Sequence, residues 1–210
     1  PLFNGENFSS WEQKGGKAKY RIDKGEIAGS AVSGTPNSFL CTKKQYGNFI
    51  LEYEFKAEHP MNSGVQIRSQ AFAEAKEIDL GNGKTRKVPQ GRVHGYQVEI
   101  DPNKPQRMWI GGVYDEARRG WLFPGLRGGD KEKFTKQGKV LYKVKDWNRI
   151  RVEARGDHIR TWLNGELRAD FKDELTTKGF IGLQVHGIGN KKELIGATIR
   201  WRNIRIKGLD

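Results

Sequence analysis

The stretch His94-Gly95-Tyr96-Gln97-Val98-Glu99-Ile100-Asp101 carries the densest chemistry in this 210-residue chain. Glu99 and Asp101 are two residues apart, so on a strand their carboxylates point the same way, about 6.5–7 Å apart. Two such groups can divide acid and base roles or share a divalent cation. His94 opens the stretch and His186 ends another candidate strand, Gly179–His186. Either imidazole titrates near neutrality and can serve as a general base. His158 follows a turn and His59 precedes Pro60, so both read as solvated or structural. Cys41, the only cysteine, reads as a core thiol and excludes a disulfide framework or a multi-cysteine metal site. No Ser-His-Asp order, phosphate loop or zinc spacing is present.

Such side chains act together only if strands hold them on one face. Apolar residues recur with period two in Phe49–Phe55, Val65–Ile67, Tyr96–Ile100, Ile150–Ala154 and Ile181–Val185, each predicting a strand with one buried face. Asp23-Lys24-Gly25, Arg155-Gly156-Asp157 and Asn164-Gly165 supply turns. Many short strands with turns between them predict an all-β antiparallel sandwich, with residues 1–210 as one domain. Helix signals are scarce: Ala71–Leu80 predicts two turns at most. Lys131–Lys145, where basic residues alternate with Phe134, Val140, Tyr142 and Val144, reads as the solvated side of strands or a ribbon. Gln70–Arg92 and Gly112–Asp130 read as long loops rimming the site. Sorted by parity, Glu52, Glu54, Gln66, Arg68, Gln97, Glu99, Asp101, Gln184 and His186 lie opposite the apolar side. If these strands share a sheet, they build a polar concave face suited to sugar hydroxyls, with Trp and Tyr to stack on pyranose rings.

Composition narrows the partners. Lys and Arg number 38 against 25 Asp and Glu, a formal charge of +13. The basic residues are spread along the chain and form no recognisable binding motif, so nucleic acid is not the expected partner. No run of about 18 apolar residues predicts a membrane helix. The aromatics, 10 Phe, 6 Tyr and 6 Trp, can fill a core. A start at Pro1 with no apolar leader reads as a trimmed mature form.

Glu99-Ile100-Asp101 is similar to the Glu-x-Asp-x-(x)-Glu signature of family 16 glycoside hydrolases. The third carboxylate of that signature would fall at Asn103 or Lys104, and a retaining mechanism needs both groups. Ordinary double displacement is therefore not expected. Nearly end to end, the sequence resembles the 3-keto-disaccharide hydrolase domain family. Leu2-Phe3-Asn4-Gly5 with Trp11 matches that family's opening, and Asn62–Arg68 matches its NSG-x-x-x-R strand. Gly95–Asp101 resembles its GYE-V-QI-D strand with Glu and Gln exchanged. Gly111–Asp115, Gly182–Gly187 and Arg202–Ile206 match its later segments in order.

The resemblance implies a concanavalin-like jelly-roll β-sandwich of two antiparallel sheets with a concave polar face. It also implies cleavage of a saccharide substrate oxidised at C3, in a periplasmic or secreted setting. A ketone at C3 acidifies the C2 proton, so a base can remove it and the C1 aglycone can leave by elimination, with water adding afterwards for net hydrolysis. The developing enolate then needs a divalent cation, an Arg or amide donors. On this reading His186 or His94 is the base. Glu99 and Asp101 position hydroxyls or hold the cation, and Glu54 joins them. Arg68, Gln97 and Gln184 bind the oxygens at C2 and C3, with Asn62, Gln66, Tyr114 and Trp121 completing the substrate-binding set. Two alternatives stay open: a non-catalytic carbohydrate-binding domain, and a binder or lyase of acidic polysaccharide whose affinity collapses as salt rises.

Overall fold

Strict alternation produces strands with one dry face: along Phe49–Ala57, Phe49, Leu51, Tyr53, Phe55 and Ala57 are buried, while the residues between them are partly exposed. A computed structural model describes residues 1–81 and 83–209, which places Asn82 of the Gly81-Asn82-Gly83 segment outside the described residues. Two seven-stranded antiparallel sheets pack face to face. The first runs, in spatial order, β1 (Trp11–Gly15), β4 (Ser38–Thr42), β15 (Phe180–Val185), β6 (Ser63–Gln70), β9 (His94–Ile100), β10 (Val113–Glu116) and β11 (Gly120–Phe123). The second runs β14 (Glu166–Lys172), β13 (His158–Leu163), β12 (Asn148–Arg155), β5 (Phe49–Ala57), β16 (Thr198–Gly208), β3 (Glu26–Ser30) and β2 (Lys19–Asp23). The core lies between them. Leu51, Tyr53 and Phe55 of β5 and Trp201 of β16 belong to the same buried cluster as Val65, Ile67, Tyr96 and Val98 of the first sheet. Lys24 and Asn164, both with positive φ, form the β2–β3 and β13–β14 turns together with Gly25 and Gly165.

Two segments depart from the sequence reading. Within Ala71–Leu80 there is no helix. Lys76–Asp79 is β7 of a small hairpin with β8 (Thr85–Val88), whose own cross-strand pairing overrides the Ala and Glu content. Lys131–Leu141 is a helix, α1, rather than strand. The Asp130 carboxylate accepts from the backbone N–H of Glu132 and Lys133, both at 2.9 Å, which is the N-cap that sets it. Phe134 and Gly138, four apart, are its buried stripe, and the basic residues face water. Gly138 lies so close to the chain that a Cβ there would stand 2.1 Å from the Met108 carbonyl.

Gly112–Asp130 is likewise more than a loop, because β10 and β11 extend the first sheet by a hairpin. That hairpin is anchored from behind by a charge cluster built on the buried carboxylates of Asp115 and Asp173. Asp173 accepts from Arg119, Arg127 and Tyr96, while Asp115 pairs with Arg118 and Arg119. Burial works against the Asp173 charge, but these donors outweigh it and hold the carboxyl at about 2. Arg168 of β14 does similar work on the next segment. It donates to the carbonyls of Ile110 and Phe134, tying α1 to the chain that follows β9.

Candidate functional site

Residues directly opposite one another on antiparallel strands share a face, so register places the site. One row crosses the outer face of the first sheet as Gln184 (β15), Gly64 (β6) and Glu99 (β9). A neighbouring row runs Gly182, Gln66, Gln97, Tyr114 and Trp121. Gln184 and Glu99 are separated by two strand spacings, about 9.5 Å, with only a glycine between. That glycine is required: a Cβ on Gly64 would stand 2.5 Å from Cγ and 2.8 Å from Nε2 of Gln97, which leans over it. The result is an open trough within a cavity of about 540 Å³.

Asn62, Gln97, Glu99, Tyr114, Trp121, Gln184 and His186 are brought together on this cavity, seven of the residues that sequence parity and resemblance single out. His186 stands at its edge. Its Nδ1 lies 2.7 Å from the Gly187 carbonyl, which can only accept, so Nδ1 carries the proton and the neutral ring keeps a free lone pair on Nε2. His186 is exposed at this edge, yet the protein packed around its ring lowers its pKa, and nearby Lys191 adds to this against the Gly187 hydrogen bond. Gln184 is fully buried, yet neither its Nε2 nor its Oε1 has a partner in the protein. A buried amide with both ends unused is costly unless something else supplies the hydrogen bonds.

Glu99 is the other chemical centre. Asn62 Nδ2 donates to Oε1 at 2.5 Å and Gln97 Nε2 donates to Oε2 at 2.8 Å. Burial, then the charge of Asp101, pushes its carboxyl up to about 7 against the amide donors and Arg107. Tyr114 and Trp121 meet edge to face at 5.4 Å, Trp121 and Trp109 at 4.7 Å, and the Arg107 guanidinium lies over both indoles.

Five expected site residues belong elsewhere, each for a physical reason. Glu54 is on β5, in the opposite sheet, where it accepts from Arg202 at 2.6 Å. Parity within a strand cannot say which sheet a strand joins. Arg68 sits at a register shift between β6 and its neighbours with φ of 47°, so its side chain turns off the face to donate to the carbonyls of Gly47 and Gly156. His94 shares the parity of the core residue Tyr96. It lies tilted against Phe72, ring centroids 4.5 Å apart, in a separate recess of about 280 Å³ beside Arg118. Gln66 is on the right face but fully buried beneath Gln97. Asp101 is also fully buried and holds Arg107, with both contacts at 2.9 Å, so its influence on the cavity passes through that Arg.

Both Glu99 oxygens accept from amides and Asp101 Oδ2 accepts from Arg107, which leaves Asp101 Oδ1 as the single oxygen of the two carboxylates without a partner, fewer than a divalent cation shared by both would use. Among the described residues, no group of three His, Cys, Asp or Glu is arranged to hold a metal.

The cavity also contains residues that periodicity does not reveal. Asn103, Lys104 and Arg107 come from the irregular segment after β9. Lys191 follows β15, and Asn37, whose Oδ1 accepts the Gly187 N–H at 2.9 Å, precedes β4. Glu116 ends β10 and is paired with Arg92 at 2.5 Å. Asn103 and Lys104 are the positions where the family 16 signature lacks its third carboxylate, the one sequence signal that pointed near them.

The sequence matches, over residues 1–207, the family described as the 3-keto-alpha-glucoside-1,2-lyase-like domain. No functionally curated protein matches it. Among solved structures, a candidate glycosyl hydrolase from Parabacteroides distasonis is similar over 100% of this chain and 93% of its own, with 20% identity and a TM-score of 0.58. The carbohydrate-binding module CBM66 from Bacillus subtilis covers 96% and 98% with 15% identity and a TM-score of 0.51. A Bacillus subtilis protein of unknown function with a galectin-like fold covers 98% and 92% with 12% identity and a TM-score of 0.63. At these identities the structures establish a shared jelly-roll sandwich, and function must be argued from the site.

Proposed function

The chain belongs to the 3-keto-alpha-glucoside-1,2-lyase-like family, and we propose that its cavity eliminates the aglycone from a glycoside oxidised at C3. The observation that carries this reading is the pairing of His186, whose Nε2 is bare and whose pKa is lowered, with Glu99, whose carboxyl is raised to about 7. An ordinary carboxyl is ionised near neutrality and cannot donate a proton; here its environment keeps Glu99 partly protonated as an acid, while His186 is held neutral as a base.

In the proposed reaction Nε2 of His186 takes the C2 proton. The C2–H electron pair becomes the enolate of the C3 ketone, then the C1–C2 double bond as the C1–O bond breaks. Protonated Glu99 gives its proton to the departing oxygen, so the products are a 3-keto-1,2-ene sugar and the free aglycone. His186 returns its proton to solvent, and Glu99 is reprotonated. Gln184 offers one donor and one acceptor to the C3 oxygen and a neighbouring hydroxyl, supplying the hydrogen bonds it lacks in the protein. No second carboxylate or metal is needed.

The test is aglycone release from a panel of 3-keto-glucosides beside their unoxidised parents. Release from the keto forms alone is expected. Release from the parents contradicts the reading. Saccharide binding with no release from any member would make the cavity a carbohydrate-binding site instead.

A further inference from the structure

Gln66 and Ser69 touch nothing in the cavity, yet they continue the hydrogen bonds of Glu99 into the sheet. Ser69 Oγ donates to Gln66 Oε1 at 2.6 Å, Gln66 Nε2 donates to Gln97 Oε1 at 2.6 Å, and Gln97 Nε2 donates to Glu99 Oε2 at 2.8 Å. Gln66 and Ser69 are fully buried, so neither can turn to water, and Gln97 is nearly so at the cavity wall. The direction of this chain is fixed by its end. A carboxylate only accepts, which turns the NH₂ of Gln97 toward it, and that in turn orients Gln66 and Ser69.

The chain can also run the other way. If Glu99 carries a proton, its O–H can donate to Gln97 Oε1 once that amide reverses. Gln97 then donates to Gln66 and Gln66 donates to Ser69. The Ser69 hydroxyl is then free for the carbonyls of Ile67 or Tyr96, already at 3.1 and 3.3 Å. In both directions each link of the chain keeps a donor facing an acceptor, which reduces the penalty for changing charge at a buried carboxyl.

We propose that Ser69, Gln66 and Gln97 form a reversible amide relay, and that Ser69 and Gln66 are positioning residues that let buried Glu99 pass between carboxylate and carboxylic acid. No proton moves along the relay; the amides reverse and the hydroxyl rotates, while the single proton exchanged is that of Glu99. The relay deepens the lyase reading, in which Glu99 must be acid and then carboxylate in each turnover. Its evidence is nonetheless separate, because it concerns the unliganded protein. Other titratable and charged groups around Glu99 are Glu116 and Tyr114 on β10, Asp101, Lys104 and Arg107 after β9, and His186 and Lys191 after β15. None of these hydrogen-bonds Gln66 or Ser69.

The test follows the Glu99 carboxyl by ¹³C NMR across pH, together with the side-chain amide signals of Gln66 and Gln97, with no substrate present. In the wild-type protein the Gln66 amide is expected to shift with the Glu99 midpoint although it does not touch the carboxyl. In Gln66→Leu the charged form loses its polarised donor chain, so the Glu99 midpoint is expected to rise by on the order of one pH unit. Ser69→Ala, a milder change, should raise it less. A Gln66 amide indifferent to Glu99 titration in the wild type, or an unmoved midpoint in either folded variant, would overturn the relay. Coupled titration in a protein that releases no aglycone would count against the lyase reading and leave the relay standing.

Discussion

At the scale of single residues, the account rests on the protonation states of His186 and Glu99. A base must be neutral, so activity through His186 is present above its pKa and lost as pH falls through it. Because that pKa is lowered, the acid limb should fall below the usual imidazole value of about 6.5. An acid must be protonated, so the contribution of Glu99 declines as pH rises through about 7. A bell-shaped profile of kcat/KM is therefore expected, and His186→Ala should remove the acid limb. It should also lower kcat about 10²–10⁴-fold, the usual worth of a general base, with KM little changed. A fall confined to KM would make His186 a binding residue. Of the residues that meet in the cavity, Gln97, Glu99, Gln184 and His186 were legible from strand parity alone. Lys104, Arg107 and Lys191 were not, because they lie in segments whose path is set by contacts such as Asp101–Arg107 and carries no period.

At the scale of elements, the site depends on how β6, β9 and β15 are held side by side. Gly64→Ala is the sharpest probe of that. Its Cβ would meet Gln97 at 2.5 Å, displacing the amide that donates to Glu99 and filling the trough. Loss of saccharide binding with a melting temperature within a few degrees of wild type is expected, read by calorimetry and thermal scan. Normal affinity would show that ligand does not occupy the trough. Asp173→Ala tests the anchor of the β10–β11 hairpin, leaving buried Arg119 without one of its carboxylates. Breaking such a buried pair costs about 3–5 kcal/mol, measurable by denaturant unfolding. Its charge persists because folding holds the carboxyl at about 2, below the unfolded value near 3.9. The stability it contributes is thus present above about pH 4 and lost as pH falls through 2. Period-two alternation made β5, β6, β9, β12 and β15 readable. It could not show that β5 belongs to the opposite sheet from β9, which is why Glu54 fell on the wrong side. Nor could it show the register shift at Arg68, a backbone event with no sequence period. Helix α1 was missed because only Phe134 and Gly138 mark its buried stripe, while the capping Asp130 is a single residue.

At the scale of the whole molecule, the jelly roll supplies a broad sheet face that serves binding and catalysis alike, so its shape decides nothing between them. The net charge of +13 is similarly neutral evidence. Several basic residues are paired across the second sheet, such as Arg149 and Arg151 with Glu52, Arg160 with Glu153, and Arg202 with Glu54, and the excess of 13 is what remains after every acidic residue is counted against a basic one. Within the cavity Arg107 is likewise taken by Asp101, and Glu99 and Glu116 stand against Lys104 and Lys191. Such a mixed lining suits a neutral sugar better than a polyanion. What distinguishes this molecule is the claim that the C2 hydrogen leaves the sugar. The most direct measurement is the isotopic fate of that hydrogen when a 3-keto-glucoside is cleaved in D₂O, with product analysed by mass spectrometry and NMR against an enzyme-free control. The account predicts a product with no hydrogen at C2, or, where water has since added, with deuterium there, and no such product from His186→Ala. A released 3-keto sugar that keeps its original C2 hydrogen would contradict it.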